Sequence, residues 1–186
     1  GDSSSDEEWY RGKVAELFTS ITIENDFKWM EYEEVQGEVD SLWIDEYCTF
    51  ASENSLKVRG HALVWGIELF GIADHWSRKL GDLQFINAIK ERIKRDVSYF
   101  KGKIVEYDVW NEPFHEESLF DRLGLQLSNS NQWALMDSAF SWARESDANA
   151  KLAINEYSIV AGGQTQEVID LVNGMKERSV PITSLG

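Results

Sequence analysis

The sequence contains a single cysteine, Cys48, so no disulfide can form within the chain. Basic residues are also scarce, because 18 Lys and Arg stand against 33 Asp and Glu, and the formal net charge is −15. Nucleic acids and anionic membrane surfaces bind through Lys and Arg, so this balance argues against both as partners. No apolar run reaches the roughly 18 residues of a membrane-spanning helix, so no transmembrane segment is predicted.

Ligand-binding motifs for metals and phosphates are missing as well. The sequence has no P-loop, no Gly-x-Gly-x-x-Gly and no zinc-site spacing, and His61, His75 and His115 form no metal-binding pattern. We therefore expect neither a cofactor nor a metal. The eight tryptophans, by contrast, are a high count. Tryptophan can fill a core, and it can also offer a flat face to the C–H groups of a sugar ring.

Short β-branched segments alternate with longer amphipathic ones, which indicates βαβ units and a parallel sheet. Residues 1–8 are polar and acidic, and we expect them to be disordered. An N-terminal tail with a short helix, residues 1–17, would thus precede the main domain, residues 18–186. The predicted strands are 20–23, 56–65, 104–111, 151–157 and the start of one at 181–186, and the predicted helices are 9–18, 41–54, 85–100, 131–145 and 164–178.

The most informative stretch is an apolar strand that ends in Asn111, Glu112 and Pro113. Proline stops further strand pairing, so Glu112 would lie at the C-terminal end of a buried parallel strand. A carboxyl group there is poorly solvated, its pKa rises, and it can hold a proton at neutral pH, as a general acid must. The alternative for the dipeptide alone is a surface glutamate in a loop. Every complete predicted strand ends in polar residues, as at the active-site face of a (β/α)8 barrel, and the absence of a Gly-rich phosphate turn makes this barrel preferable to an open doubly wound sheet.

Four segments together resemble glycoside hydrolase family 10, chiefly endo-1,4-β-xylanases built on a (β/α)8 barrel. They occur in the family's order, and the resemblance covers residues from about 18 to 186, or about strands 2 to 6 of the barrel. The segments are Ile23-Glu24-Asn25-Asp26-Phe27-Lys28-Trp29, Val58-Arg59-Gly60-His61-Ala62-Leu63-Val64-Trp65, Tyr107-Asp108-Val109-Trp110-Asn111-Glu112-Pro113 and Ala150-Lys151-Leu152-Ala153-Ile154-Asn155-Glu156-Tyr157.

The resemblance implies a retaining hydrolase that cleaves β-1,4-xylan and is secreted, with Glu112 as its acid/base. It also implies a cis peptide bond between His61 and Ala62. The remaining residues implied by the resemblance contact the polysaccharide, and they are Glu24, Asn25, Lys28, His61, Trp65, Asn111 and Tyr157.

Three departures from the family pattern bear on function. Gly66 stands where a histidine often follows Val-Trp, and Glu156 stands where aspartate usually precedes the tyrosine. The family's nucleophile, a glutamate on the seventh strand, has no counterpart here. Glu24 and Glu156 are the only substitutes we consider. We therefore expect a chain that is inactive alone and associates through exposed sheet edges, with a second polypeptide as one way to complete the barrel. The alternatives are a β-glucanase of the same clan and a non-catalytic carbohydrate-binding remnant.

Overall fold

The computed structural model describes residues 3–67, 71–116, 118–124 and 130–186. Parts of the two loops predicted at 66–82 and 116–130 lie outside the described residues. The strands are β1 (Ser20–Ile23), β2 (Lys57–Gly60), β3 (Val64–Trp65), β4 (Glu106–Asn111), β5 (Lys151–Asn155) and β6 (Ser184–Leu185). The helices are α1 (Ser3–Leu17), α2 (Trp29–Tyr32), α3 (Leu42–Glu53), α4 (Asp74–Ser77), α5 (Asp82–Tyr99), α6 (Ser118–Arg122), α7 (Ser130–Ser146) and α8 (Thr165–Glu177).

The strands form one parallel sheet in the order β1-β2-β4-β5-β6, and β3 also pairs with β4. Because β2 and β3 both lie against β4, they are two halves of one interrupted strand, and the sheet has five strand positions. Trp65 lies opposite Asn111, and Asn111 lies opposite Asn155. The C-terminal ends of these strands therefore meet at one edge of the sheet.

Strand β4 lies in the middle of the sheet and is covered on both faces. Its residues 107–111 are all buried, as expected of a central parallel strand with helices packed around it. On α5, the predicted apolar stripe is confirmed, because Phe85, Ile89, Ile93 and Val97 are fully buried. Burial of each such side chain contributes about 1.5–3 kcal/mol to folding. This packing makes β4 a rigid support for the residues at its end.

The structure corrects several sequence predictions. Residues 3–8 are not disordered but belong to α1, which is stabilised by an ion pair between Arg11 and Glu7 and tied to α3 by one between Arg11 and Glu46. Short helices α2 and α4 occur where no helix was predicted, whereas α6 lies in the stretch 116–130, which was predicted as a loop or a broken helix. On α3, helical spacing predicts an apolar face that includes Leu42 and Trp43, but both are exposed, and the buried side chains are Ile44, Cys48 and Ala51.

The break between β2 and β3 is held by a fully buried arginine, Arg92 of α5. Its Nε donates to the carbonyl of Leu63 at 3.0 Å, and its Nη2 donates to the carbonyls of Ala62 at 3.2 Å and Phe27 at 2.6 Å. The peptide bond between His61 and Ala62 is cis, as predicted. Arg92 thus ties the segment after β1 to the interruption that carries His61.

Candidate active site

Glu112 is the first residue after β4, and it has a left-handed backbone with φ of 53°. Such a conformation is uncommon for residues other than glycine and is concentrated at functional sites. The Glu112 N–H donates to the carbonyl of Asn155 at 2.8 Å, which anchors the turn to β5. Its Oε2 accepts a hydrogen bond from Nε1 of Trp65 at 3.0 Å. The side chain therefore projects at the strand-end edge, beside the ring of Trp65.

The pKa of Glu112 is raised in the folded chain. Burial is the largest cause, and the negative charges of Glu156 and Glu116 act in the same direction. The hydrogen bond from Trp65 and the nearby amide of Asn111 favour the ionised form and only partly offset these effects. The direction agrees with the expectation drawn from the position of Glu112 at the end of a buried strand.

His61 is oriented by a buried carboxylate that sequence reasoning did not single out. Asp108 of β4 is 1% exposed, and its Oδ2 lies 2.9 Å from Nδ1 of His61. Its two oxygens also accept hydrogen bonds from Nε and Nη2 of Arg59, and this Nη2 donates to Asn155 Oδ1 at 3.3 Å. A buried charge requires such pairing. In the sequence, Asp108 and Arg59 could have been noticed as charged residues inside predicted buried strands.

Lys28, which follows β1, contacts Trp65 at the end of β3. The Nζ of Lys28 donates to Oδ1 of Asn25 at 2.8 Å and lies 5.3 Å from the ring centroid of Trp65, within cation–π range. The ring of His61 lies 5.9 Å from that of Trp65. Five predicted residues, including Glu112, thus form one chain of contacts. Glu24 is exposed at the end of β1 and lines a groove beside α1 and α3.

Asn111 carries a buried donor without a partner. Its side chain is fully buried, and its Oδ1 accepts a hydrogen bond from Asn155 Nδ2 at 2.7 Å. Its own Nδ2 has no hydrogen-bond partner among the described residues. An unsatisfied buried donor costs about 1–3 kcal/mol, and an acceptor that reached this group would offset that cost. Asn155, which holds Asn111 in place, was missed by the sequence analysis.

Glu156 and Tyr157 lie directly after β5, and both face the loop that follows Glu112. The Glu156 side chain is fully buried, and its oxygens lie 3.1 Å from the Phe114 nitrogen, 2.9 Å from the Tyr157 nitrogen and 2.6 Å from Nδ1 of His115. A carboxylate bound by three donors is poorly suited to attack a substrate, which argues against Glu156 as a substitute nucleophile. The rings of His115 and Tyr157 are stacked, with centroids 3.6 Å apart.

Gly66 leaves room for the polypeptide after β4. A Cβ atom built on Gly66 would lie 2.5 Å from the carbonyl oxygen of Glu116, closer than real Cβ atoms come to any atom. The N–H of Glu116 in turn donates to the carbonyl of Glu112 at 2.9 Å. The space beside Gly66 is therefore filled by backbone that is bonded to the residue carrying the candidate acid.

The described ranges contain neither a metal-ion cluster nor a membrane-spanning helix. No group of three or more His, Cys, Asp and Glu side chains there is placed to hold a metal ion. No helix in this part of the chain is long and apolar enough to cross a membrane.

Comparison with known proteins adds three findings. The model of "Glycosyl hydrolase family 10" matches residues 2–186. "Beta-1,4-xylanase" of Dictyoglomus thermophilum is 32% identical over 178 residues, which are 95% of this chain and 49% of that protein. "Anti-sigma-I factor RsgI6" of Acetivibrio thermocellus is 30% identical over 177 residues, which are 95% of this chain and 22% of that protein.

A solved structure with the same fold is xylanase 10B from Thermotoga petrophila RKU-1 in complex with xylobiose. It is 29% identical and has a TM-score of 0.83, and the match covers 99% of this chain and 55% of that chain. This chain therefore spans about half the length of the xylanases that it matches.

Proposed function

This chain belongs to glycosyl hydrolase family 10 and its sheet is part of a (β/α)8 barrel, and on that premise we propose that it forms the acid/base half of a retaining endo-β-1,4-xylanase. The substrate would be xylan, in keeping with the xylanase names of its relatives and with the xylobiose held by the Thermotoga petrophila enzyme. Xylan is too large to cross a membrane, so we further propose that the protein is secreted.

The observation that carries the proposal is the setting of Glu112. Burial and two neighbouring negative charges raise its pKa, while Trp65 fixes its carboxyl group at 3.0 Å. A carboxylic acid that keeps its proton near neutral pH can protonate the departing glycosidic oxygen. After the leaving group departs, the same carboxylate can take a proton from the attacking water.

The residues around Glu112 would hold the sugar on its two sides. Lys28 and His61, which neighbour Trp65, supply polar contacts on one side, and the buried Asn111 Nδ2 supplies a donor beside the reacting unit. Tyr157 would stack against the sugar that leaves. Sugar hydroxyls both donate and accept hydrogen bonds, so this mixture of a cation, a ring nitrogen, an amide and aromatic faces suits a neutral polysaccharide.

The second carboxylate would come from polypeptide outside these 186 residues. Retaining hydrolysis requires two carboxyl groups about 5–5.5 Å apart. Glu156 is occupied by three hydrogen-bond donors, and Glu24 is exposed beside the groove between α1 and α3. We therefore propose that the chain binds xylan but does not hydrolyse it until further polypeptide, in the same or a second chain, completes the barrel.

The two edges of the sheet support the proposal that further polypeptide completes the barrel. Strands β1 and β6 each have one neighbour in the described sheet, and the edge at β6 borders a groove lined by apolar residues of α8, among them Val168 and Val172. Unpaired strand edges beside apolar surface favour pairing with another strand. The isolated chain should accordingly associate, and elution from a size-exclusion column as a stable monomer would argue against it.

A second candidate function is carbohydrate binding without hydrolysis. The relative RsgI6 is named as an anti-sigma factor, not as a xylanase, although it matches 95% of this chain. A β-glucan in place of xylan is a further alternative, because Gly66, against which Glu116 packs, stands where the family often has a histidine.

The decisive experiment compares Glu112→Ala with the wild type in the longest polypeptide that contains this sequence. Removal of a general acid should lower the hydrolysis rate on xylan by about 10²–10⁴-fold, and it should have a much smaller effect on an aryl xyloside with an activated leaving group, which needs less protonation. Exposed Glu53→Ala is the matched control and should behave as wild type.

Three results would contradict parts of the proposal. Equal losses on both substrates would exclude the acid role of Glu112. Hydrolysis of β-glucan with no cleavage of xylan would favour the alternative substrate. Full xylan hydrolysis by the purified 186-residue chain would show that no second carboxylate is needed from outside.

A further inference from the structure

The carboxylate of Glu156 is fully buried, which is rare for glutamate unless the charge is paired. All three of its partners donate to it: the N–H of Phe114, the N–H of Tyr157 and Nδ1 of His115. Two of these donors belong to the loop after Glu112, and the third belongs to the segment after β5. One side chain therefore joins the ends of two adjacent strands at the cleft.

The rings of His115 and Tyr157 are stacked above this carboxylate. Their centroids are 3.6 Å apart with an angle of 24° between the planes. Because Nδ1 of His115 is bound at 2.6 Å, its ring cannot rotate without losing that contact. Tyr157 is 51% exposed, so one face of its ring is backed by His115 and the remainder is open. The pair forms a flat surface whose orientation depends on Glu156.

The length of the Glu156 side chain matters for this arrangement. An aspartate would end about 1.5 Å earlier, one C–C bond, and its carboxylate could not keep three contacts of 2.6–3.1 Å on two separate segments. A glutamine would keep the length but would place an N–H₂ group against at least one of the donors. The site thus requires both the charge and the reach of glutamate.

We propose that Glu156 is a positioning residue that locks the His115–Tyr157 ring pair as a sugar-stacking platform on the leaving-group side of Glu112. This rests on the proposed carbohydrate-binding function. Glu156 itself touches no sugar: it acts through the orientation of the two rings and of the loop that starts at Glu112. The sugar that it helps to bind would be the unit released by cleavage, held by its C–H face against Tyr157.

The ring pair can be tested without a sugar by NMR of the histidine side chains. A proton above a tyrosine ring at this distance is shifted upfield by the ring current, so one His115 ring signal should be displaced from those of His61 and His75. Tyr157→Leu should abolish the displacement and identify the signal. Glu156→Gln and Glu156→Asp should reduce it, whereas Glu91→Gln, the same charge removal at an exposed site on α5, should not.

A second experiment measures the affinity of the chain for xylotetraose by isothermal titration calorimetry. Glu156→Gln should bind it about fivefold to tenfold more weakly than wild type, as should Tyr157→Leu, and combining the two changes should add little because both remove one platform. Circular dichroism establishes that each variant is folded before it is measured.

Together, the NMR and calorimetry experiments distinguish failure of this inference from failure of the proposed function. An unmoved His115 signal in Glu156→Gln, or wild-type affinity for xylotetraose in that variant, overturns the positioning role. A wild-type chain that does not bind xylotetraose overturns the proposed function, and the His115 signal then still decides whether Glu156 fixes the ring pair.

Discussion

Replacing Gly66 with alanine should destabilise the chain through a single contact. The added Cβ would lie 2.5 Å from the carbonyl oxygen of Glu116, about 0.9 Å short of ordinary contact at 3.4 Å. The obstacle is backbone, not the end of a flexible side chain, so it cannot move aside alone. Overpacking of this kind costs about 1–3 kcal/mol. For a chain of this size, that loss lowers Tm by about 2–12 °C.

The matched control is the same substitution in a helix. Gly12 lies inside α1, and a Cβ there would meet nothing within 4 Å. Because alanine favours the helix over glycine, Gly12→Ala should raise the free energy of unfolding by about 0.5–1 kcal/mol. The two changes are chemically identical and are expected to have opposite signs.

Urea unfolding, followed by tryptophan fluorescence and by circular dichroism, measures both variants, and coincident curves would establish two-state behaviour. Gly66→His, which restores the residue type often found at this position in the family, should be at least as unstable as Gly66→Ala. If Gly66→Ala unfolds at the wild-type urea concentration, the close approach of Glu116 is wrong, and so is the account of why this position is glycine.

Three further predictions concern charged groups. The folded chain raises the pKa of Glu112, so ionisation of this side chain as pH rises through that pKa destabilises the fold. Glutamine cannot ionise. Glu112→Gln should therefore be more stable than wild type at pH 7 and equal to it below about pH 4 in thermal melts. Arg92→Met removes three hydrogen bonds to buried carbonyls and the buried ion pair with Asp96, which keeps Arg95 as a partner, and should cost about 3–5 kcal/mol in urea unfolding, with Arg92→Lys less damaging. Arg178→Ala breaks only the exposed pair with Asp137 and should cost about 0–1 kcal/mol, less in 1 M salt.

The parts of the fold that sequence could predict are those governed by local periodicity. The buried stripe of α5 follows from apolar residues at helical spacing, and the position of Glu112 follows from an apolar strand that ends at a proline. These features depend on neighbours within a few residues. They therefore appear in the sequence as patterns, and the structure reproduces them.

The parts that sequence could not predict depend on partners far along the chain. The strand predicted from 56 to 65 continues through the point where the observed strand breaks, and the break is held by Arg92, about 30 residues away. Asp108 pairs with Arg59 across 49 positions, and Asn155 pairs with Asn111 across 44. The sequence shows that these polar residues lie inside strands, but no local pattern shows which residue each of them contacts. Only the register of the sheet brings each of them to its partner.

The hydrogen bond between Asp108 and His61 determines whether the other nitrogen of the His61 ring donates or accepts in the cleft. A neutral imidazole carries one proton, and a carboxylate 2.9 Å from Nδ1 holds that proton on Nδ1. Nε2 is then left with a lone pair and can only accept, whereas the Lys28 ammonium can only donate. A hydroxyl bound between these two groups must give its hydrogen to His61 and receive one from Lys28. On the proposed carbohydrate-binding function, methylation of that hydroxyl would remove the only hydrogen it can give, so a sugar that differs by a single capped oxygen should bind more weakly.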